Sequence, residues 1–269
     1  MAGMNCRSRS GLREEDLSSP CRGQAATPTR AEPGEVLLQR LERRAGVMKL
    51  SRLAGCGGIA GPLLFTAAWV VSSLRQAGHP AAGVQLSGLA AQDARDPQIM
   101  IAAFVVLGAC TIGFGAALSR VAAAQSAGPW LIMVAGAATV AVGVFRRDHM
   151  LLTGPGFAGE SWHNQVHDVA SGIAYAAMLA APLVLGWRFR ADPEWAVAGR
   201  PILVLALASA VAIAIFASRA AQPWNGVLQR AAVTLALAAE AVVAVRMLTL
   251  PMVPAWREGN TIGPWTLGT

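Results

Sequence analysis

From about position 53 the chain alternates between long apolar runs and short polar joints. Six runs stand out, at about 53–74, 99–118, 130–145, 166–187, 201–217 and 227–250. At 1.5 Å of rise per residue, some twenty apolar residues cross about 30 Å of hydrocarbon. Several of the runs are near that length and the third is short. The pattern predicts an all-α fold, a polytopic membrane bundle of six transmembrane helices over residues 49–250. Residues 1–48 show no apolar periodicity before a short patch at 36–41 and read as a disordered or weakly helical tail. Residues 251–269 form a short second tail.

Composition strengthens this reading. Of the 269 residues, 54% are hydrophobic and 14% charged, where soluble domains carry about 25% charge. Fourteen of the thirty-seven charged residues fall within the first forty-eight. That tail has no apolar core after its early charges and so is not a signal peptide. Met48-Lys49-Leu50, directly before the first apolar run, makes a natural start of translation. The net charge of +7 does not point to nucleic acid, because the basic residues sit singly or in pairs at run ends, where they set membrane orientation. A single lysine, Lys49, stands against twenty-one arginines, the mark of a GC-rich and bacterial coding sequence. Cys6, Cys21, Cys56 and Cys110 show no metal-ligand spacing and read as free, buried thiols. Leu53-Ala54-Gly55-Cys56 resembles a lipoprotein box, but its apolar stretch follows the cysteine instead of preceding it.

Gly57 and Gly61, Gly108 and Gly115, and Gly136 and Gly143 recur at helical spacing and predict close helix contacts, since lipid competes with leucine but not with backbone-to-backbone packing. Trp130, Trp162, Trp187, Trp195 and Trp224 lie near run ends, as an interfacial belt requires. With the N-terminus inside, inner segments hold ten basic residues and outer segments six. That asymmetry places both termini in the cytoplasm of a multi-pass inner (plasma) membrane protein, with the Arg146-Arg147 pair dissenting.

All four histidines then share the outer face: His79, His149, His163 and His167. Arg146, Arg147, Asp148, Glu160, Asp168, Asn225, Gln229 and Arg230 join them there. His163 and His167 are four apart at the start of the fourth run, so a helix puts them on one face. That spacing suits a divalent metal such as zinc, with Asp148 as third ligand and a position left for water, whose pKa a metal lowers towards about 7. The plainer reading is that these histidines cap loops or bond backbone carbonyls. Haem does not fit, because two axial histidines must approach from opposite faces. Asp148 beside Arg146 and Arg147 reads either as a headgroup or phosphate site or as an interfacial ion pair with snorkelling arginines. Ser171 and Tyr175 continue the His167 face into the bundle, and Gln229-Arg230 opens the sixth run towards the same place. Glu240 lies inside the sixth run. There it is either a protonated carboxyl bonded to a Ser or Thr of a neighbouring helix or part of a proton-coupled transport path.

Several of these residues together resemble an uncharacterised family of prokaryotic six-helix membrane proteins, domain of unknown function 998. The resemblance rests on Gly58-x-x-Gly61-Pro62-x-x-Phe65, Phe145-x-x-Asp148, His163-x-x-x-His167 and Gly226-x-x-Gln229-Arg230, and covers about 50–250. Arg146 stands where a proline is common, and Asn164 where a glycine follows the first histidine. The resemblance implies six helices with Asp148, His163, His167, Gln229 and Arg230 as characteristic polar positions, and it carries no activity.

Three functions remain open on the sequence. The first is a metal-dependent hydrolase of a lipid or headgroup, with Asp148, His163 and His167 on the metal and Arg230 neutralising developing charge. The second is a non-catalytic protein in which the same residues lock the structure or sense a ligand. The third is a small transporter built on Glu240.

Overall fold

The computed structural model describes residues 33–78, 81–121, 124–151, 161–218 and 222–250. Residues 1–43 and 44–269 are separate units, and apart from the start of the first helix everything described below concerns the second. Six α-helices follow in order: α1 (Pro33–Arg75), α2 (Gln98–Leu118), α3 (Gly128–Val144), α4 (Trp162–Phe189), α5 (Ala196–Ser218) and α6 (Asn225–Thr249). Five stretches are long and apolar enough to cross a membrane, the first being Leu53–Arg75, and α3 is a shorter apolar helix of 17 residues.

The backbone is already helical from Pro33, within the tail read as disordered or weakly helical. Pro33 is a favoured first helical residue, and Leu37, Leu38, Gln39 and Arg40 are good helix formers. Residues 1–32 and 251–269 lie outside the described residues, as do Cys6 and Cys21.

Each helix packs on the next, and small residues set how closely. A Cβ on Gly108 would meet Gly136 O at 2.5 Å, and one on Gly136 would meet Gly108 O at 2.7 Å, so α2 and α3 touch backbone to backbone. Gly61 lies against Cys110 of α2 and Gly58 against Ala244 of α6. Through these contacts α1 sits between the second helix and the last. The glycines singled out by spacing therefore serve packing. Cys56 is exposed and Cys110 half-buried, so Cys56 does not meet the expectation of a buried thiol.

The outer surface is apolar, as lipid contact demands. Val197, Val204, Leu207 and Val211 of α5 are all more than half exposed. Trp130, Trp162, Trp187 and Trp224 are exposed near helix ends, and Arg190 stands over the Trp187 ring at 3.9 Å. Trp195 departs from the belt. It is buried and stacks on Phe189 at 4.2 Å, joining α4 to α5.

One connection is unlike an ordinary surface loop. Residues 81–97 link α1 to α2, and Val84 to Ala91 are buried without a break. A buried loop must find partners for its backbone polar groups. This segment finds them on the ends of α3 and α6, and it seals one end of the bundle as a plug. It had no helical or strand signature by which the sequence could announce it. Its one signal was composition: Ala81, Ala82, Val84, Leu86, Leu89, Ala90 and Ala91 are too apolar for a joint that faces water.

Candidate functional site: a polar lock on a buried plug

Helix ends leave backbone groups without intrahelical partners, and at the plug end side chains meet most of that need. Phe145 terminates α3 in an extended conformation. His167, only 1% exposed, sets Nδ1 2.7 Å from Phe145 O and 3.1 Å from Val142 O. Both contacts are to carbonyls, so Nδ1 carries the hydrogen and His167 caps the end of α3. Its Nε2 is buried without a hydrogen-bond partner.

The start of α4 is secured from the same corner. Ser161 is its N-cap, with its side chain accepting from Asn164 N at 3.3 Å. Asp148 backs that cap. Ser161 Oγ donates to Asp148 Oδ1 at 2.6 Å, Ser161 N donates to Oδ2 at 2.7 Å, and Gln92 Nε2 of the plug donates to Oδ1 at 3.1 Å. The Ser161 hydroxyl first, then its amide, hold the Asp148 carboxyl below the usual carboxylate range. A depressed carboxyl adds stability above its unfolded pKa of about 4 and loses it as pH falls through the lower folded value. The α3–α4 corner is therefore expected to loosen below about pH 4. Asp148→Asn should remove that acid limb from a stability-against-pH profile, while a profile identical to wild type would separate Asp148 from it.

The plug is bound to α6 by the Gly226-x-x-Gln229-Arg230 residues. Gly226 N donates to Ala82 O at 2.7 Å. A Cβ at Gly226 would lie 2.4 Å from Val84 O and 2.5 Å from Ala81 O, so only glycine lets the two backbones meet. Gln229 Oε1 accepts from Leu86 N at 2.5 Å, and its Nε2 donates to Tyr175 Oη at 2.6 Å. Arg230 Nη1 donates to Ala81 O and Val84 O, both at 2.7 Å, and Nη2 to Ser73 Oγ at 3.0 Å. Its guanidinium also lies 5.3 Å from the Trp69 ring centre. Arg147 is buried as well and donates to Gln85 Oε1 at 3.0 Å. Neither an interfacial ion pair nor a snorkelling side chain describes it. Asp93 accepts from Met150 N at 2.7 Å and pairs with exposed His149 at 3.5 Å, while Arg75 pairs with Asp96 at 2.6 Å.

The expected metal set is not assembled. Among the described residues no three His, Cys, Asp or Glu side chains are grouped to hold a metal ion. Asp148 is engaged by Ser161 and Gln92, and His167 Nδ1 by carbonyls, while His167 Nε2 is left over. His163 is exposed, its ring 3.7 Å from that of Trp162. The i,i+4 spacing was read correctly as helical, but His163 lies on the exposed side of the first turn of α4 and folds onto Trp162 and Phe145. Arg230 points to plug carbonyls. Arg146 is exposed, Asp168 accepts from Asn164 Nδ2 at 3.2 Å, and His79 and Glu160 lie outside the described residues.

Beneath the plug is a cavity of about 50 Å³. Its wall is mostly apolar, from Phe65, Phe104, Leu107 and Val233, with Ser87, Ser171, Tyr175 and Gln229 as polar points. The His167–Ser171–Tyr175 face does therefore descend into the bundle. Gln229 belongs at once to the cavity wall and to the plug lock.

The fold and this end of it define a multi-pass, all-helical membrane protein closed by a buried, hydrogen-bonded plug. Residues 59–246 match the family described as "Protein of unknown function (DUF998)", and the chain belongs to that family. No curated protein and no solved structure matches it.

Proposed function

We propose that this is a non-catalytic membrane protein in which the plug responds to an apolar ligand drawn from the bilayer. The carrying observation is Gln229, which holds Leu86 N of the plug with one end of its amide and Tyr175 at the cavity wall with the other. Anything that displaces Tyr175 or Gln229 from within also disturbs the plug. Asp148, His167 Nδ1 and the two terminal nitrogens of Arg230 act here as positioning groups, because they hold helix ends and the plug. His163 and the metal it would share have no part in this reading.

Two features support a bilayer-derived occupant. The cavity wall is apolar with a few hydroxyls and an amide, a lining that suits an uncharged chain with a hydroxyl or ester near it. Tyr175 Oη, already accepting from Gln229, retains its own hydrogen to donate. The buried residues of α5 all fall between Ala198 and Ser209. In its last turns Phe216 stands against Tyr175, ring centres 6.4 Å apart, and a rotation of that ring would give lipid a lateral approach. The plug end faces outward on this reading, with both termini in the cytoplasm of the plasma membrane. Burial of Arg147 and Arg230 supports that, since it removes two charges from those the outer segments present.

Native mass spectrometry of the protein extracted in mild detergent tests the reading. Wild type is expected to retain a bound lipid species. Ala174→Leu, which fills the cavity wall, should lower its occupancy at least about tenfold, the cost of losing about 1.4 kcal/mol. A protein that retains no lipid, or a variant that retains as much as wild type, would contradict it.

A further inference from the structure

A second cavity, of about 30 Å³, lies deeper between α2, α3, α4 and α6. Thr111 and Glu240 line it, with Met178, Pro182 and otherwise apolar side chains. Glu240 Oε2 is 3.5 Å from Thr111 Oγ1, as the simplest sequence reading of Glu240 expected, while Oε1 is sealed from solvent with no hydrogen-bond partner. Pro182 lies inside α4. Lacking an N–H, it offers none to the Met178 carbonyl four residues earlier. The cavity thus sets a carboxylate and a single hydroxyl beside the turn of α4 in which Pro182 leaves the Met178 carbonyl without its helical donor.

We infer that Glu240, Thr111 and the Met178 carbonyl form an internal site for one small monovalent cation, held as a proton on the carboxyl or as sodium among the oxygens. An all-oxygen set suits hard cations. In membrane proteins, carbonyls released from broken helices serve them in the same way. No charged side chain competes. Residues 53–74 of α1, all of α3, 169–187 of α4 and 201–218 of α5 contain none, and α2 contributes only the Cys110 thiol nearby. On α6, Arg230 is spent on the plug and Arg246 on Glu194 O. The volume also admits about two waters at roughly 10–15 Å³ each. Met178 lines both this cavity and the one beneath the plug. Its side chain is flexible, and a turn of it would join the two. Sodium uptake releases the carboxyl proton one for one, while proton uptake leaves a neutral acid. This inference is independent of the lipid reading, and neither needs the other to hold.

Infrared difference spectroscopy of the full chain in liposomes reads the carboxyl directly. Wild type should show a carboxylic C=O band that is absent in Glu240→Gln. If sodium is the ligand, replacing choline chloride by sodium chloride at fixed pH removes the band and releases protons. If the proton is the ligand, the band follows pH and ignores sodium. Thr111→Val keeps the carboxyl and is expected to shift whichever midpoint applies by about tenfold, the worth of one hydrogen bond to a charged group. A band that responds to neither pH nor sodium overturns the inference, as does one unaffected by Glu240→Gln or an unmoved midpoint in Thr111→Val.

Discussion

Arg230→Ala is expected to cost about 4 kcal/mol of stability, at the level of breaking a buried charged network. The side chain donates to Ala81 O, Val84 O and Ser73 Oγ together. Its removal leaves the buried Val84 carbonyl unpaired, worth about 1–3 kcal/mol, and frees the Ala81 carbonyl and the Ser73 hydroxyl from the plug. Arg230→Lys should recover only part of the loss, because an ammonium is a point donor and cannot span the same three acceptors in the geometry of a planar fork. Denaturant titration of purified protein in mixed micelles reads both variants. A loss below about 1 kcal/mol, the scale of a surface pair, would mean that the plug is held by something else.

Gly226→Ala should cost about 3 kcal/mol, at the upper end of overpacking, although it adds a single methyl. The atoms it meets are the backbone carbonyls of Ala81, Ala82 and Val84, between 2.4 and 2.7 Å from the new Cβ. They cannot rotate away as a side-chain end would, so either the plug lifts or α6 shifts. Lifting would also break the Gly226 N to Ala82 O and Leu86 N to Gln229 bonds. The same titration checks it, and full stability in Gly226→Ala would show that the plug has slack.

Much of the architecture was legible. Runs of apolar residues fix where helices cross a membrane, because lipid leaves the backbone no other way to satisfy itself. Helices α2 to α6 accordingly lie within a few residues of the expected spans, and so does the membrane-length part of α1, Leu53–Arg75. Gly108 and Gly136 were readable as contacts for the same reason. The site was half legible. Asp148, His167, Gln229 and Arg230 do gather at one end, but residue type alone could not tell a ligand from a cap. An imidazole that donates to a carbonyl and one that binds zinc occupy the same kind of position in a sequence. The distinction rests on Phe145 O and Ser161, groups with no sequence signal of their own. The plug escaped notice because its order comes from partners far along the chain, Leu86 with Gln229 and Ala81 with Arg230. Trp195 was misplaced because an interfacial tryptophan and a core tryptophan near a helix end look alike until Phe189 stacks on it.

The central claim is that Gln229 and Arg230 hold a buried plug. Hydrogen exchange of residues 84–91 in wild type and in Arg230→Ala, both in lipid nanodiscs, tests it most directly. Wild-type plug amides should exchange slowly, and in the variant they should exchange at least about tenfold faster, with the protection of α2 to α6 unchanged. Plug amides that exchange freely in wild type, or that stay equally protected in Arg230→Ala, would contradict it.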